Sequence, residues 1–94
     1  MGKPYFDDIE IDLILFTDKL GIDVAKKTHR EEYTTARYAV FLLLNMSYRP
    51  CQIARLFNYN NATVHYGINQ MKDKLLINDQ LAVEAWGKIK DIEV

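Results

Sequence analysis

Residues 56–68, LFNYNNATVHYGI, gather three asparagines, a threonine, a histidine and two tyrosines around one helix entrance. Two chemistries use asparagine at such a place. Its side-chain oxygen caps a helix by accepting from backbone N–H groups, and its amide bonds N6 and N7 of adenine together. Threonine donates to a base or lays its methyl on thymine. The candidate base-reading set is therefore Asn60, Asn61 and Thr63, with His65 and Tyr66 flanking them. The plainer alternative is that Asn60 or Asn61 only caps a helix and shapes a turn, and that Thr63 is an ordinary first-turn surface residue.

A polyanion partner needs cations, and their distribution along the chain is uneven. Residues 1–25 hold two lysines against six acids, whereas residues 26–55 hold six cations against two acids. The remaining residues hold four lysines against five acids, so the chain as a whole carries a net charge of −1. The basic middle supplies the candidate phosphate contacts: Lys26, Lys27, Arg30, Arg37, Arg49 and Arg55. Such contacts set register and salt dependence without reading sequence. The alternative for Arg37, which interrupts an apolar stripe, is to snorkel over the core and pair with Glu32 or Glu93. Lys26 and Lys27 also suit a plain solvated surface.

Other chemistry is poorly supplied. Cys51 stands in a helix first turn, where the dipole lowers a thiol pKa. Catalysis there would need a base and an orienting group, and His29 and His65 are the only histidines. One cysteine and two separated histidines make no zinc set. The acids of DDIEID complement a helix N-terminus, and no EF-hand loop surrounds them. No enzyme, metal or cofactor is expected. A single cysteine also excludes an internal disulfide and fits a reducing compartment.

Ninety-four residues suit one domain, and 49% hydrophobic with 27% charged residues is a globular balance. The longest unbroken apolar run, Ala39 to Leu44, is too short to span a bilayer. MGKPYFDDIE lacks the apolar core of a signal peptide, and Phe6 stands where myristoylation wants Ser or Thr. A cytoplasmic location without membrane contact is expected.

The elements that position these residues all read as helices. Residues 8–20 start at an Asp8 cap, carry Ile9, Leu13, Phe16 and Leu20 at helical spacing, and stop at Gly21. Thr28 with Glu31 three residues on predicts a reciprocal cap for the next helix. Tyr33, Ala36, Val40, Leu43 and Leu44 give that helix one apolar face, widened by Phe41 and Leu42. So much apolar circumference marks the central helix of a bundle. Pro50 suits the first turn of a short helix to about Phe57, with Ile53, Leu56 and Phe57 inward. Asn60 or Asn61 then opens a helix carrying Val64, Ile68, Met71 and Leu75. Asn78 or Asp79 opens the last, with Leu81, Ala82, Ala85, Trp86 and Ile89. Met71 and Trp86 are most simply core.

A short helix, a tight turn and a second helix entered through polar side chains is the layout of a helix-turn-helix. Ala54 falls where only a small side chain fits between crossing helices. Asn58, four residues later, falls where a left-handed backbone is needed. Val64, ten residues after Ala54, locks the second helix onto the first.

These residues carry a family resemblance. ARYAVFLLLNMSYRPCQIARLFNYNNATVHYGI, residues 36–68, resembles the C-terminal DNA-binding domain of the bacterial replication initiator DnaA, in the Trp-repressor-like helix-turn-helix superfamily. Ala36 and Arg37 match that family's Ala-Arg pair, Ile53 and Phe57 its short helix, and Thr63 and Val64 the end of its Gly-Gly-Arg-Asp-His-Thr-Thr-Val motif. THREEYTTAR is similar to its basic entry, through Thr28 and Arg30. The likeness covers about residues 9–90. With one residue deleted in the turn, Tyr59 takes the motif's Arg, Asn60 its Asp, Asn61 its His and Ala62 its first Thr, while Tyr66 stands for the following His. The resemblance therefore implies the fold and a DNA-binding role, with a different sequence preference. No phosphate-binding Gly-x-x-x-x-Gly-Lys loop is present, so the ATPase part of an initiator is absent from the chain.

The expectation is an all-α, compact five-helix domain over residues 1–94, with a helix-turn-helix at about 50–75, binding double-stranded DNA through the major groove. The rival is a protein-interaction module of the same fold, in a replication or phage accessory factor. Clustering of Arg37, Arg49 and Arg55 at the exposed end of the second helix would favour DNA. Scattering of those arginines would favour the rival.

Overall fold

The computed structural model describes residues 13–92. Five helices occupy them: α1 (Leu13–Leu20), α2 (Glu31–Leu44), α3 (Pro50–Phe57), α4 (Asn61–Leu76) and α5 (Gln80–Ile89). No strand occurs among the described residues. The all-helical, five-helix expectation holds.

α2 is central because its sequence leaves it little polar surface. Ala36, Ala39, Val40, Phe41, Leu43 and Leu44 are all buried along it. It packs on α4 and α5 and more lightly on α3, while α1 lies chiefly against α5. Phe16, Ile53, Val64, Met71, Ala82 and Ile89 meet it in one continuous core and are fully buried. Each large apolar side chain withdrawn from water contributes roughly 1.5–3 kcal/mol, so this core is the main source of stability.

Local signals end and restart the helices. Gly21 takes a φ of +73°, and its N–H donates to the Thr17 carbonyl at 2.8 Å, closing α1. The Asp8 cap and Ile9 expected for that helix lie outside the described residues. Pro50 occupies the first turn of α3, and the Arg49 N–H donates to the Gln52 side chain at 2.9 Å.

α3 and α4 both end on a left-handed asparagine, Asn58 with φ 61° and Asn78 with φ 57°. After each, the backbone folds back in the same way. Tyr59 N–H reaches the Ala54 carbonyl at 2.8 Å, and Asp79 N–H reaches that of Lys74 at 2.9 Å, the six-residue closure of a Schellman turn. The next helix starts at once. Asn60 caps α4 and Asp79 caps α5, accepting from Ala82 N–H at 3.2 Å.

One predicted cap is corrected. α2 begins at Glu31 behind an extended Arg30, with no side-chain cap, so the Thr28–Glu31 reciprocal cap does not form. The Arg30 carbonyl instead takes both the Tyr33 and Thr34 N–H groups at 3.0 Å. Thr28 is two residues too early, and its hydroxyl accepts from the Arg30 N–H at 3.4 Å. Its carbonyl faces Arg37, which has consequences for the site.

Candidate functional site

The junction of α3 and α4 is built from five residues. Ala54 is 2% exposed where the two helices approach. Asn58 supplies the left-handed step, and Tyr59 turns its ring into the wall of the core, with its centroid 6.2 Å from that of Phe41. Asn60 then stops the turn: its side-chain oxygen accepts from the Thr63 N–H at 2.8 Å and the Thr63 hydroxyl at 2.9 Å. Val64, fully buried, anchors the helix that follows.

This arrangement sorts the five candidate base readers. The oxygen of Asn60 is committed to the cap, and the hydroxyl of Thr63 is bonded to it, so both serve the helix entrance. Asn61, His65 and Tyr66 stand on the exposed side of α4's first two turns, opposite Val64, Gly67 and Ile68. Tyr66 is 58% exposed and leans its ring edge-on to Tyr38 at 6.2 Å. A helix presenting a short row of hydrogen-bonding side chains from its N-terminal turns has the shape and chemistry to meet base edges.

The six candidate phosphate ligands divide differently. Lys26, Lys27, Arg30, Arg49 and Arg55 are exposed. Arg37 is not on the surface: it is 5% exposed, its guanidinium donating to the Lys26 carbonyl at 2.7 Å and the Thr28 carbonyl at 3.3 Å. It also lies 5.4 Å from the Tyr59 ring centroid. The pairing with Glu32 does not form, since Glu32 instead meets Arg30 at 4.0 Å, and Glu93 lies outside the described residues. Arg37 thus fastens the non-helical 21–30 segment to α2 and steadies the turn through Tyr59. Its burial follows from spacing, because it shares a helix face with Tyr33, Val40, Phe41 and Leu44.

Lys27 completes that fastening. Its ammonium donates to the Asn58 carbonyl at 2.8 Å and sits 4.7 Å from the Tyr59 ring centroid. Tyr59 is therefore held by two cations and by Phe41. The basic segment and the entrance of α4 are brought side by side, which neither sequence stretch revealed by itself.

Two contributors carried no sequence signal. Gly67 lets α4 lie close on α2: a Cβ there would stand 2.6 Å from Tyr38 Cδ1 and 2.8 Å from Phe41 Cδ2. A glycine inside a helical pattern reads only as a weak point, so its packing role shows only in three dimensions. Tyr38 is the other, half-buried beneath Tyr66, where desolvation raises its hydroxyl pKa above the ordinary 10.0.

Cys51 is half-buried, and no cluster of three or more histidine, cysteine or acidic side chains suited to a metal occurs among the described residues. No described helix is long and apolar enough to cross a membrane. No family model matches the chain, and neither any curated protein nor any solved structure matches it significantly.

Proposed function

We propose that this protein is a double-stranded DNA-binding module, with α3 and α4 as a helix-turn-helix and α4 entering the major groove. The observation that carries the reading is the α3–α4 junction, where a left-handed Asn58, a buried Ala54 and a buried Val64 hold α4 with Asn61, His65 and Tyr66 outward. Asn61 is the residue best suited to bidentate contact with adenine, and His65 and Tyr66 flank it. Lys27, beside the α4 entrance, Lys26 and Arg30 in the same basic segment, Arg49 just before α3 and Arg55 on it would hold phosphates. Arg37 would act behind them, positioning the basic segment.

Fluorescence anisotropy against a randomised duplex pool, from roughly 50 to 200 mM salt, tests this directly. The expected outcome is affinity falling steeply with salt. Replacing Lys26 and Arg30 by glutamine should weaken all sequences alike. Asn61→Ala should cost roughly 1–3 kcal/mol of discrimination at one base position. Absence of duplex binding at the lowest salt would sink the proposal.

A specific observation favours a second reading, a protein-interaction module of the same fold. Arg37 is turned inward, so the three arginines do not form a common cluster at the surface. Leu76 and Ile77, at the far end of α4, are 80% and 75% exposed. On this reading the partner is a replication or regulatory protein, and duplex binding is absent at every salt concentration.

A further inference from the structure

A cavity of about 350 Å³ opens between the 21–30 segment, α2 and the α3–α4 turn. Its lining holds two fixed cations, Lys27 and Arg37, and no carboxylate. We propose that this cavity binds a phosphomonoester, the dianionic terminal phosphate of a small organic molecule. The proposal does not rest on DNA recognition, although Lys27 belongs to both sets: none of Asn61, His65 and Tyr66 lines the cavity.

The electrostatics of Arg37 come first. Arg37 is a buried residue whose guanidinium is met by two carbonyl dipoles, while its Nε has no hydrogen-bond partner among the described residues. Among the described residues no carboxylate is paired with it. A buried cation without a counter-charge is costly, and an anion in the adjoining cavity would lower that cost.

Donor supply is the second point. Lys27 spends one of its three N–H bonds on the Asn58 carbonyl, leaving two. Thr28 and Tyr38 bring hydroxyl protons with no acceptor among the described residues, and His29 brings a ring nitrogen. Thr34 and Thr63 line the same space with their hydroxyls already turned to Glu31 and Asn60. Several donors converging with two positive charges suit a dianion better than a single carboxylate.

Size is the third. The volume falls at the lower end of ordinary ligand sites, roughly 300–1,000 Å³, so an organic body fits beside the phosphate. Tyr38 and Tyr59 give that body aromatic walls. A duplex backbone offers the same tetrahedral oxyanion, but as a singly charged diester on a wide rod.

Amide proton–nitrogen NMR on the whole chain separates these sources, with adenosine 5′-monophosphate, adenosine, inorganic phosphate and a duplex as probes. The nucleotide should shift the Lys27, Thr28, His29 and Thr34 amides saturably, and adenosine should not. Lys27→Gln should weaken nucleotide binding about tenfold, as expected for one charge-assisted bond. Tyr38→Phe, which keeps the ring, should weaken it by a smaller factor while the amide dispersion stays native. No saturable shift up to about 10 mM nucleotide overturns the proposal. So do equal shifts with adenosine, or shifts of these amides by the duplex alone. Duplex binding in the anisotropy assay is scored independently, so failure of one proposal leaves the other standing.

Discussion

Asn58 and Asn60 are two residues apart and hold opposite conformations. Asn58 bends the chain through the left-handed region, and Asn60 returns it to extended backbone with φ −89° and ψ 166°. A Cβ in the left-handed region costs about 1–2 kcal/mol for most residues, and asparagine recovers part of this through local hydrogen bonding. Asn58→Ala is therefore expected to lower stability by about 1 kcal/mol, and Asn58→Gly to leave it unchanged or raised, as read from denaturant midpoints. Tyr38 adds a pH term. Because burial raises its hydroxyl above 10.0, the folded protein keeps a proton that the unfolded chain releases. The stabilisation is complete below pH 10.0 and is lost as pH climbs through the folded value. Urea midpoints between about pH 9 and 11 should fall, and Tyr38→Phe should flatten the decline. Asn58 was legible in the sequence because few residues tolerate that backbone. The fate of Arg37 was not: an arginine in an apolar stripe reads alike whether its head reaches water or turns to two carbonyls of a distant segment.

At the scale of elements, the α2–α4 contact depends on the absence of a side chain at Gly67. Gly67→Ala brings a methyl against Tyr38 and Phe41, and Phe41 is fully buried between Phe57 and Tyr59, with ring centroids 5.0 and 6.2 Å away. Overpacking of this kind costs about 1–3 kcal/mol, against up to about 1 kcal/mol gained from the helix preference of alanine. A net loss is expected, seen as a melting temperature lower by several degrees. Helix existence was legible almost throughout, since Gly21, Pro50, Asn60 and Asp79 are local punctuation. What escaped was the start of α2. Thr28-x-x-Glu31 has the composition of a cap, but Arg37 bonds the carbonyls of residues 26 and 28 and so holds that stretch outside the helix.

For the molecule as a whole, charge sets the range of the proposed DNA contact. Five candidate cations are exposed: Lys26, Lys27, Arg30, Arg49 and Arg55. If each releases about 0.9 of a counter-ion, log affinity against log salt has a slope no steeper than about −4 to −5. A steeper slope would require cations outside this set. The position of α1 has a separate consequence for how the molecule breathes. α1 leans chiefly on α5, while α2 is gripped by three helices, so α1 is the more lightly held of the two. Amide hydrogens of Phe16 to Leu20 should therefore exchange with solvent through a smaller opening than those of Val40 to Leu44, whose exposure needs the whole fold to come apart.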